Sequence, residues 1–420
     1  MNKINILVFP CGSEIAFEVY DCLYKQKNIN LIGASSIDDT GKFVFKNYIG
    51  DVPNVANDEF IQVFKDIVST QKIDYIYPTM DIVLLKLKQY ESELGCKVLG
   101  SDFKTVKIFS QKSLTYDYFK DLIRTPKVFC GDTSFDFPVF SKPDIGSSSR
   151  NIMIIEDEID LVYSRKKYPN NILLEYLPGK EFTVDCFSDK NNKLIFTSAR
   201  ERTKITNGIS TNSKLVKDKK IDEIANIINN NIKLSGPWFF QLKKDINDEY
   251  CLLEIADRFG GSSIINRILG VNFAFLNILK EMYDVSISTN SYNIEIGKNY
   301  KTHVISSLNF DSVYIDLDDT VVFENKVNID AICFLYKCLN LNKKIYLLTR
   351  HKGNVEKTLT TFKIDMSIFD GIYHTISSPK SIFIKEKNAI FVDDSFTERQ
   401  EVKTTLNIPV FSVENIPYIL

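Results

Sequence analysis

The chain has 420 residues, with 52 Lys and Arg residues against 54 Asp and Glu residues and a formal net charge of −2. This balance excludes a strongly basic surface over the whole molecule, so we expect no nucleic-acid partner. Apolar residues make up 44% of the chain, but no apolar run approaches the roughly 20 residues of a membrane helix. The composition predicts a cytoplasmic globular protein of about two or three domains with no membrane partner.

The cysteines and histidines argue against two kinds of site. The eight cysteines are scattered and none forms a CxxC pair, which predicts buried, reduced thiols rather than a disulfide framework or a zinc site. Histidine occurs only at positions 303, 351 and 374, so a histidine-rich metal site is not expected.

The first hundred residues alternate between apolar strands and amphipathic helices. Strands are predicted at Asn5–Pro10, Asn30–Ala34 and Ile73–Pro78, and a helix at Asp58–Ser69. Such alternation is typical of a parallel sheet with crossover helices. The pattern therefore predicts a β/α domain over residues 1–100.

A lysine and a loop of small residues follow in the middle of the chain. Lys142 lies near the end of the predicted strand Pro138–Pro143, and Asp144–Arg150 is rich in Gly and Ser. An ammonium group meets the charge of a polyphosphate, and Gly and Ser let backbone N–H groups approach it. The pair suits a phosphate-binding loop.

Two later apolar runs, Trp238–Gln241 and Cys251–Ile255, are predicted to form neighbouring strands. If Gln241 and Glu254 both point inward, their oxygens can hold Mg²⁺ against bound phosphates.

In this order, the phosphate loop, the strand–Gly turn–strand segment Ile172–Asp185 and the two later strands resemble the ATP-grasp ligases. The nearest branch is the one that is similar to the large subunit of carbamoyl-phosphate synthetase. The resemblance covers residues 1–300 and implies an α/β protein with a pre-grasp β/α domain over 1–100 and an ATP-grasp (α+β) domain over 101–300. It implies ATP and Mg²⁺ as cofactors.

The resemblance also implies site residues. Lys112 and Lys142 contact the ATP phosphates under the loop of Gly146, Ser147, Ser148 and Ser149; Glu175 and Leu177 lie beside adenine; Glu181 meets the ribose; Gln241 and Glu254 face the metal; Arg258 stabilises the phosphoryl or acyl-phosphate group; and Arg200 and Arg202 face the acceptor substrate.

One position departs from that family's pattern. The last strand usually reads Glu-x-Asn-Pro-Arg, whereas this chain has Ala256 and Asp257 between Glu254 and Arg258. Alanine cannot ligate a metal, and alternation along the strand turns Asp257 to the opposite face. The second metal position therefore lacks its usual ligand.

After a polar connection predicted at Ser286–Lys301, the C-terminal part returns to β/α alternation. Three predicted strands, Ser312–Ile315, Lys344–Leu348 and Ala389–Val392, end in polar residues. Such residues meet at the carboxyl edge of a parallel sheet. The residues that follow or lie near these strand ends are Asp316, Asp318, Thr349, Lys380, Asp393 and Asp394.

These groups suit phosphoryl transfer, since one carboxylate can attack phosphorus while a second protonates the leaving oxygen. Their order, DxDxT, Thr, Lys and DD, resembles the haloacid dehalogenase (HAD) phosphatases over residues 308–420. By this resemblance Asp316 is the nucleophile, Asp318 the general acid and base, and Thr349 and Lys380 bind phosphate. Asp316, the backbone at Asp318, and Asp393 hold Mg²⁺, with Asp394 as a secondary candidate. The spacing leaves no room for a cap domain, so a capless Rossmann-like HAD domain is expected.

The sequence thus predicts a bifunctional enzyme. An ATP-dependent carboxylate–amine ligase would join small-molecule carboxylate and amine substrates, and the phosphatase would act on a related phosphorylated metabolite. A homodimer is a family-level expectation. Two alternatives stay open: a HAD phosphatase with a degenerate ATP-grasp part that only binds nucleotide or substrate, and a non-enzymatic sensor. The first depends on the missing Asn at position 256.

Overall fold

The structure, a computed structural model, describes residues 3–130, 134–146, 151–206, 208–298 and 302–420. Ser147, Ser148 and Ser149 of the predicted phosphate loop lie outside the described residues. The chain forms two compact units. The N-terminal unit comprises Met1–Ile264, Asn272–Ile287 and Glu295–His303, and the C-terminal unit comprises Ile265–Val271, Ser288–Ile294 and Val304–Leu420.

The N-terminal unit begins with the predicted parallel sheet. Its five strands lie in the order Asn47–Ile49, Ile29–Ala34, Ile4–Phe9, Tyr75–Pro78 and Lys97–Val98. The accompanying helices are Glu14–Leu23, Gly41–Val44, Phe60–Gln71, Asp81–Gln89, Glu91–Leu94 and Phe103–Phe109. The central strand is apolar on both faces because helices cover both faces of a parallel sheet. Phe9 of this strand packs edge-on against Phe64, with the ring centroids 4.9 Å apart.

A small antiparallel sheet follows. Its strands lie in the order Val128–Phe129, Asn171–Glu175, Val139–Pro143 and Met153–Ile155. The helix Lys112–Phe119 precedes this sheet, and the helix Glu158–Lys167 leads from its edge strand back to its centre. Val139, Ile155 and Leu161 form its buried core.

A larger sheet has strands in the order Tyr250–Ala256, Gly236–Lys244, Glu181–Ser188, Leu194–Thr206, Ile209–Val216, Ile294–Lys298 and Thr302–Ser306. All of its residues except Ile294 and Val304–Ser306 belong to the N-terminal unit. The helices Lys219–Asn231 and Phe273–Met282 accompany it. Trp238 and Phe240 alternate into a core that Ile221 and Ile228 of the first helix complete. The connection predicted at 286–301 is therefore partly wrong, because Ile294–Lys298 is a strand. Alternating Ile294 and Ile296, both buried, are the pattern that the polar composition obscured.

The C-terminal unit has a five-stranded parallel sheet in the order Gly371–His374, Lys344–Thr349, Ser312–Ile315, Ala389–Val392 and Val410–Phe411. Its other elements are the helices Ile329–Asn340, Val355–Thr361 and Phe396–Leu406, the hairpin Val322–Phe323 and Lys326–Val327, and 3₁₀ turns at Met366–Ile368, Lys380–Phe383 and Val413–Tyr418. The short helix Ile264–Ile268 lies mostly in this unit. Residues 320–380 are all described and hold no inserted cap domain, as predicted.

All eight cysteines are free, which confirms the absence of a disulfide framework. Five of them are buried, but Cys130 and Cys333 are exposed, so the prediction of buried thiols holds only in part. In the described residues, no helix combines the length and apolar character needed to cross a membrane.

Candidate functional site

The N-terminal unit contains a cavity of about 650 Å³, which its small antiparallel sheet and its larger sheet line. The small sheet contributes Phe140 and Leu174, and the large sheet contributes Leu253, which together give one part of the cavity an apolar wall. Nine of the residues predicted from sequence line it: Lys112, Lys142, Gly146, Glu175, Leu177, Glu181, Arg202, Gln241 and Glu254. A cavity with an apolar wall and a few placed polar groups is the usual form of a small-molecule site.

Lys142 is the most deeply placed cation of this cavity. Its strand buries the side chain, and the ammonium Nζ donates to the Tyr116 hydroxyl at 2.7 Å. Burial lowers the pKa of Lys142 to about 8, although the Glu254 carboxylate partly opposes that effect. No carboxylate among the described residues forms a salt bridge with it, so an anionic ligand would supply its missing countercharge.

The loop that leads out of the Lys142 strand is anchored at its start. Asp144 accepts hydrogen bonds at 2.7 Å from the Ser113 backbone N–H, from the Ser113 hydroxyl and from Gln111. Lys112 Nζ donates to the Gly146 carbonyl at 2.8 Å. These contacts hold the helix Lys112–Phe119 against the loop, and they place both predicted lysines at one cavity.

The two residues predicted to face the metal lie side by side. Gln241 and Glu254 lie directly opposite each other on neighbouring antiparallel strands, so their side chains share one face. Arg202 pairs with Glu181 and donates to the Gln241 side-chain oxygen at 3.1 Å. Carboxylate and carboxamide oxygens are the ligands that Mg²⁺ takes, so this pair fits one metal ion.

Sequence reasoning missed the residue that supports the predicted hinge. Arg124 pairs with the Glu175 carboxylate, which also accepts the Lys127 backbone N–H at 3.1 Å. Glu175 therefore lines the cavity while its charge is already balanced. Arg124 lies 51 residues before its partner, and nothing in the local pattern marks it.

The C-terminal unit brings three carboxylates and a lysine together at the carboxyl edge of its sheet. One oxygen from each of Asp316, Asp393 and Asp394 lies within 4.8 Å of the others. Lys380 Nζ donates to Asp316 and to Asp393, each at 2.6 Å. Asp316, Asp393 and Lys380 are buried, so this is a desolvated cluster that carries more negative than positive charge.

The burial of this cluster and its excess of negative charge shift the pKa values of its members. Burial, followed by repulsion from Asp393, raises the pKa of Asp316 to about 8. Desolvation and the neighbouring Asp393 and Asp319 raise the pKa of Asp394 to about 6. Burial opposes the charge on Lys380, but Asp393 and Asp316 outweigh it and raise its pKa. A divalent cation would relieve the repulsion among the carboxylates, and their hard oxygen ligands fit Mg²⁺.

Asp318 and Thr349 lie at the same edge of the sheet, but Asp318 is not part of the carboxylate cluster. Its carboxylate oxygens lie 2.9 and 3.0 Å from His351 Nδ1. The buried Thr349 hydroxyl accepts the His351 backbone N–H at 3.1 Å. The strand ends at Ile315 and the chain then bends, so Asp318 lies beyond the strand and beside His351. His351 was not predicted as a site residue.

Comparisons with known proteins concern the ligase-like part. Residues 167–300 match the family described as ATP-grasp in the biosynthetic pathway with Ter operon. A curated relative, tyramine–L-glutamate ligase of Methanocaldococcus fervens, is 24% identical over 206 residues, which are 41% of this chain and 67% of that protein.

Two solved structures share the fold. The biotin carboxylase domain of Hydrogenobacter thermophilus 2-oxoglutarate carboxylase, in complex with MgADP, ADP and bicarbonate, has a TM-score of 0.60 at 15% identity, covering 71% of this chain and 74% of that chain. The L-amino acid ligase from Bacillus licheniformis has a TM-score of 0.57 at 16% identity, and the match covers 70% of this chain and 79% of that chain. The chain contains an ATP-grasp fold.

At the last strand of this ATP-grasp fold, where Ala256 and Asp257 depart from the family pattern, Asp257 has a structural role. Asp257 is buried and accepts hydrogen bonds from the Ser101 backbone N–H and hydroxyl, both at 2.6 Å. Burial raises its pKa to about 6, although these bonds oppose the shift. Asp257 therefore faces away from Glu254, as predicted, and does not replace the absent asparagine.

Two predicted arginines are engaged elsewhere in the ATP-grasp fold. Arg258 donates to both carboxylate oxygens of Asp81, at 2.9 and 2.8 Å, and is not among the residues that line the cavity. Arg200 is buried and pairs with Asp185 at 2.9 Å, so it does not face an open acceptor site. Both acidic partners fill a bidentate fork that a substrate would otherwise use.

Proposed function

We propose that the chain is a bifunctional enzyme, with an ATP-dependent carboxylate–amine ligase in the N-terminal unit and a Mg²⁺-dependent phosphatase of the HAD type in the C-terminal unit. The proposal depends most on two buried lysines with opposite surroundings. Lys142 lines a cavity without a salt-bridged carboxylate among the described residues, whereas Lys380 donates to two carboxylates. The first suits an incoming anion, and the second suits a site completed by a cation.

ATP is the anion that best fits the N-terminal cavity. The apolar wall of Phe140, Leu174 and Leu253 suits a purine ring, and Glu181, which also lines the cavity, would accept hydrogen bonds from the ribose hydroxyls. Lys112 and Lys142 would bind the phosphates, while Gln241 and Glu254 would hold Mg²⁺. The bound ion would neutralise phosphate charge during transfer.

In the ligase reaction, a substrate carboxylate oxygen attacks the γ-phosphorus of ATP, the bond to the β-phosphate oxygen breaks, and ADP leaves. The amine nitrogen then attacks the acyl carbon of the acyl phosphate, phosphate leaves, and the nitrogen loses a proton. Lys142 and Lys112 would stabilise negative charge in the first step. The curated relative's name pairs an amine with an amino acid, which supports this reaction class without naming these substrates.

In the phosphatase reaction, Asp316 attacks the phosphorus of a phosphate monoester and becomes an aspartyl phosphate. Asp318 protonates the leaving oxygen, then accepts a proton from the water that hydrolyses the aspartyl phosphate. Lys380 and Thr349 would bind phosphoryl oxygens, and Asp316, Asp393 and Asp394 would hold Mg²⁺, which offsets charge on the phosphoryl group. Residues 320–380 hold no cap domain, so a phosphorylated metabolite would either reach this edge directly or be enclosed by the rest of the chain.

A phosphatase whose ATP-grasp part only binds ligand is the second candidate. Ala256 and the inward hydrogen bonds of Asp257 favour it, because they leave one metal position without a ligand. The pairing of Arg258 with Asp81 points the same way.

The test is product analysis with the purified chain and Mg²⁺. One reaction contains ATP with pooled carboxylates and amines, and another contains a panel of phosphate monoesters. The proposal predicts ADP only when a carboxylate and an amine are both present, and phosphate release from at least one monoester. Monoester hydrolysis without ADP formation would select the second candidate.

A further inference from the structure

Three groups of the N-terminal unit meet at one tyrosine. The Tyr116 hydroxyl donates to the Leu253 carbonyl at 2.6 Å and accepts the Lys142 ammonium at 2.7 Å. Lys142 Nζ also lies 5.4 Å from the centre of the Tyr116 ring. The helix Lys112–Phe119, the small sheet and the large sheet are thereby joined through a single hydroxyl group.

We propose that Tyr116 is a positioning residue for the ATP-grasp site: it orients the Lys142 ammonium toward the cavity and keeps it protonated for the nucleotide phosphates. The proposal rests on the proposed ligase function. Nothing in the sequence pattern marks Tyr116, because its hydroxyl acts on a strand 26 residues away.

The hydrogen-bonding capacity of the three groups fixes their roles. The hydroxyl proton of Tyr116 is directed at Leu253, so the hydroxyl oxygen can only accept from Lys142. An ammonium has three N–H donors. One goes to Tyr116 and a second has only a long contact, 3.4 Å, to the Leu253 carbonyl. The third remains for a ligand in the cavity that Lys142 lines.

The surroundings explain why the lysine needs this support. Tyr116 and Lys142 are both buried, and an unsupported buried ammonium favours its neutral form. The charged groups that face Lys142 are Glu254, Glu181 and Lys112, with the Cys251 thiol also near. Glu254 and Glu181 favour the ammonium and Lys112 disfavours it, while the Tyr116 oxygen accepts one of its hydrogen bonds directly.

The helix that carries Tyr116 also begins with Lys112, one turn earlier, so both residues lie on the same face. Asp144 ties the start of this helix to the strand end that follows Lys142. One helix face therefore carries both Lys112 and the hydroxyl that accepts from Lys142.

The test substitutes Tyr116→Phe, which keeps the ring beside Lys142 and removes only the hydroxyl. Tyr118→Phe is the matched control, since that hydroxyl donates to the Asn231 carbonyl at 2.6 Å on the exposed side of the same helix. MgADP binding is measured by calorimetry from pH 6.5 to 9.5. Tyr116→Phe should weaken binding about tenfold at pH 7.5 and move the pH midpoint of affinity about one unit lower. Tyr118→Phe should match the wild type.

Equal pH midpoints in the wild type and Tyr116→Phe would overturn the inference while leaving the proposed function intact. A wild type that does not bind MgADP would instead overturn the ligase proposal. In that event the unfolding of the ligand-free protein still tests the inference. Because the pKa of Lys142 is lower in the folded than in the unfolded protein, the free energy of unfolding rises with pH between the two pKa values. Tyr116→Phe should lower the folded-state pKa further and so widen this pH range, which lies below 10.5. An unchanged range would contradict the inference.

Discussion

The two buried lysines of this chain are held in opposite ways. Lys142 donates to a neutral hydroxyl, and burial lowers its pKa to about 8. Lys380 is also buried but bridges Asp316 and Asp393, and these carboxylates raise its pKa. Burial alone therefore does not determine the charge state of a lysine; the neighbouring groups decide it.

This difference assigns a different missing partner to each site. In the N-terminal cavity, no carboxylate among the described residues forms a salt bridge with Lys142, so an anion would complete that site. The Lys380 cluster has three carboxylates for one ammonium, so a divalent cation would complete it. The predictions that follow change one site and ask whether the other responds.

The largest effect is expected at Asp316. Asp316→Asn removes the proposed nucleophile and should lower monoester hydrolysis by at least about 10³-fold. ADP formation in the ligase assay should be unchanged, because Asp316 belongs to the other unit. Asp365→Asn serves as the control, since Asp365 is an exposed helix-capping residue of the same unit that Asn can replace. Hydrolysis retained in Asp316→Asn would exclude the aspartyl-phosphate route.

Lys142→Met should weaken MgADP binding about 100-fold, because the apolar stem remains while a charge-assisted contact to phosphate is lost. Calorimetry measures the change. Lys167→Met is the control, because Lys167 also donates to a tyrosine hydroxyl, that of Tyr163 at 2.7 Å, but on the exposed surface. If both variants bind equally well, Lys142 does not contact the nucleotide.

Mg²⁺ should stabilise the C-terminal unit without any nucleotide. At a concentration about 100 times its dissociation constant, the ion adds about 2.7 kcal/mol to the free energy of unfolding. Thermal unfolding over a range of Mg²⁺ concentrations measures this effect, which Asp393→Asn should remove. An equal Mg²⁺ response in Asp393→Asn would place the stabilising ion elsewhere.

The smallest effect concerns pH. Because the pKa of Lys142 in the folded protein is about 8, the ammonium is lost as pH rises through that value, and MgADP affinity should fall about tenfold between pH 7 and pH 9. Lys142→Arg should remove this dependence, since arginine keeps its charge throughout the range. A wild-type profile that stays flat to pH 9 would show that the bound ligand does not sense this group.

The sequence predicts a site well where strand geometry alone determines it. Gln241 and Glu254 face each other because they lie on adjacent antiparallel strands, and Asp316 and Asp393 follow neighbouring parallel strands. In both cases alternation or strand ends bring the residues together, and the apolar runs that define those strands are visible in one sequence.

The sequence does not predict contacts between side chains that lie far apart along the chain. Arg258 meets Asp81, 177 residues away, and no local pattern marks that pairing. Asp318 contacts His351 because the backbone turns after Ile315, so periodicity along a strand no longer applies. The role of Tyr116 could not be predicted either, since in the sequence it cannot be told from an ordinary core residue.

The most direct test of the account is a reciprocal comparison of Lys142→Met and Asp316→Asn in the two product assays. We expect Lys142→Met to lose ADP formation and keep monoester hydrolysis, and Asp316→Asn to show the reverse. If either variant stays folded but loses both activities, the chain does not have two separate sites, one completed by an anion and the other by a cation.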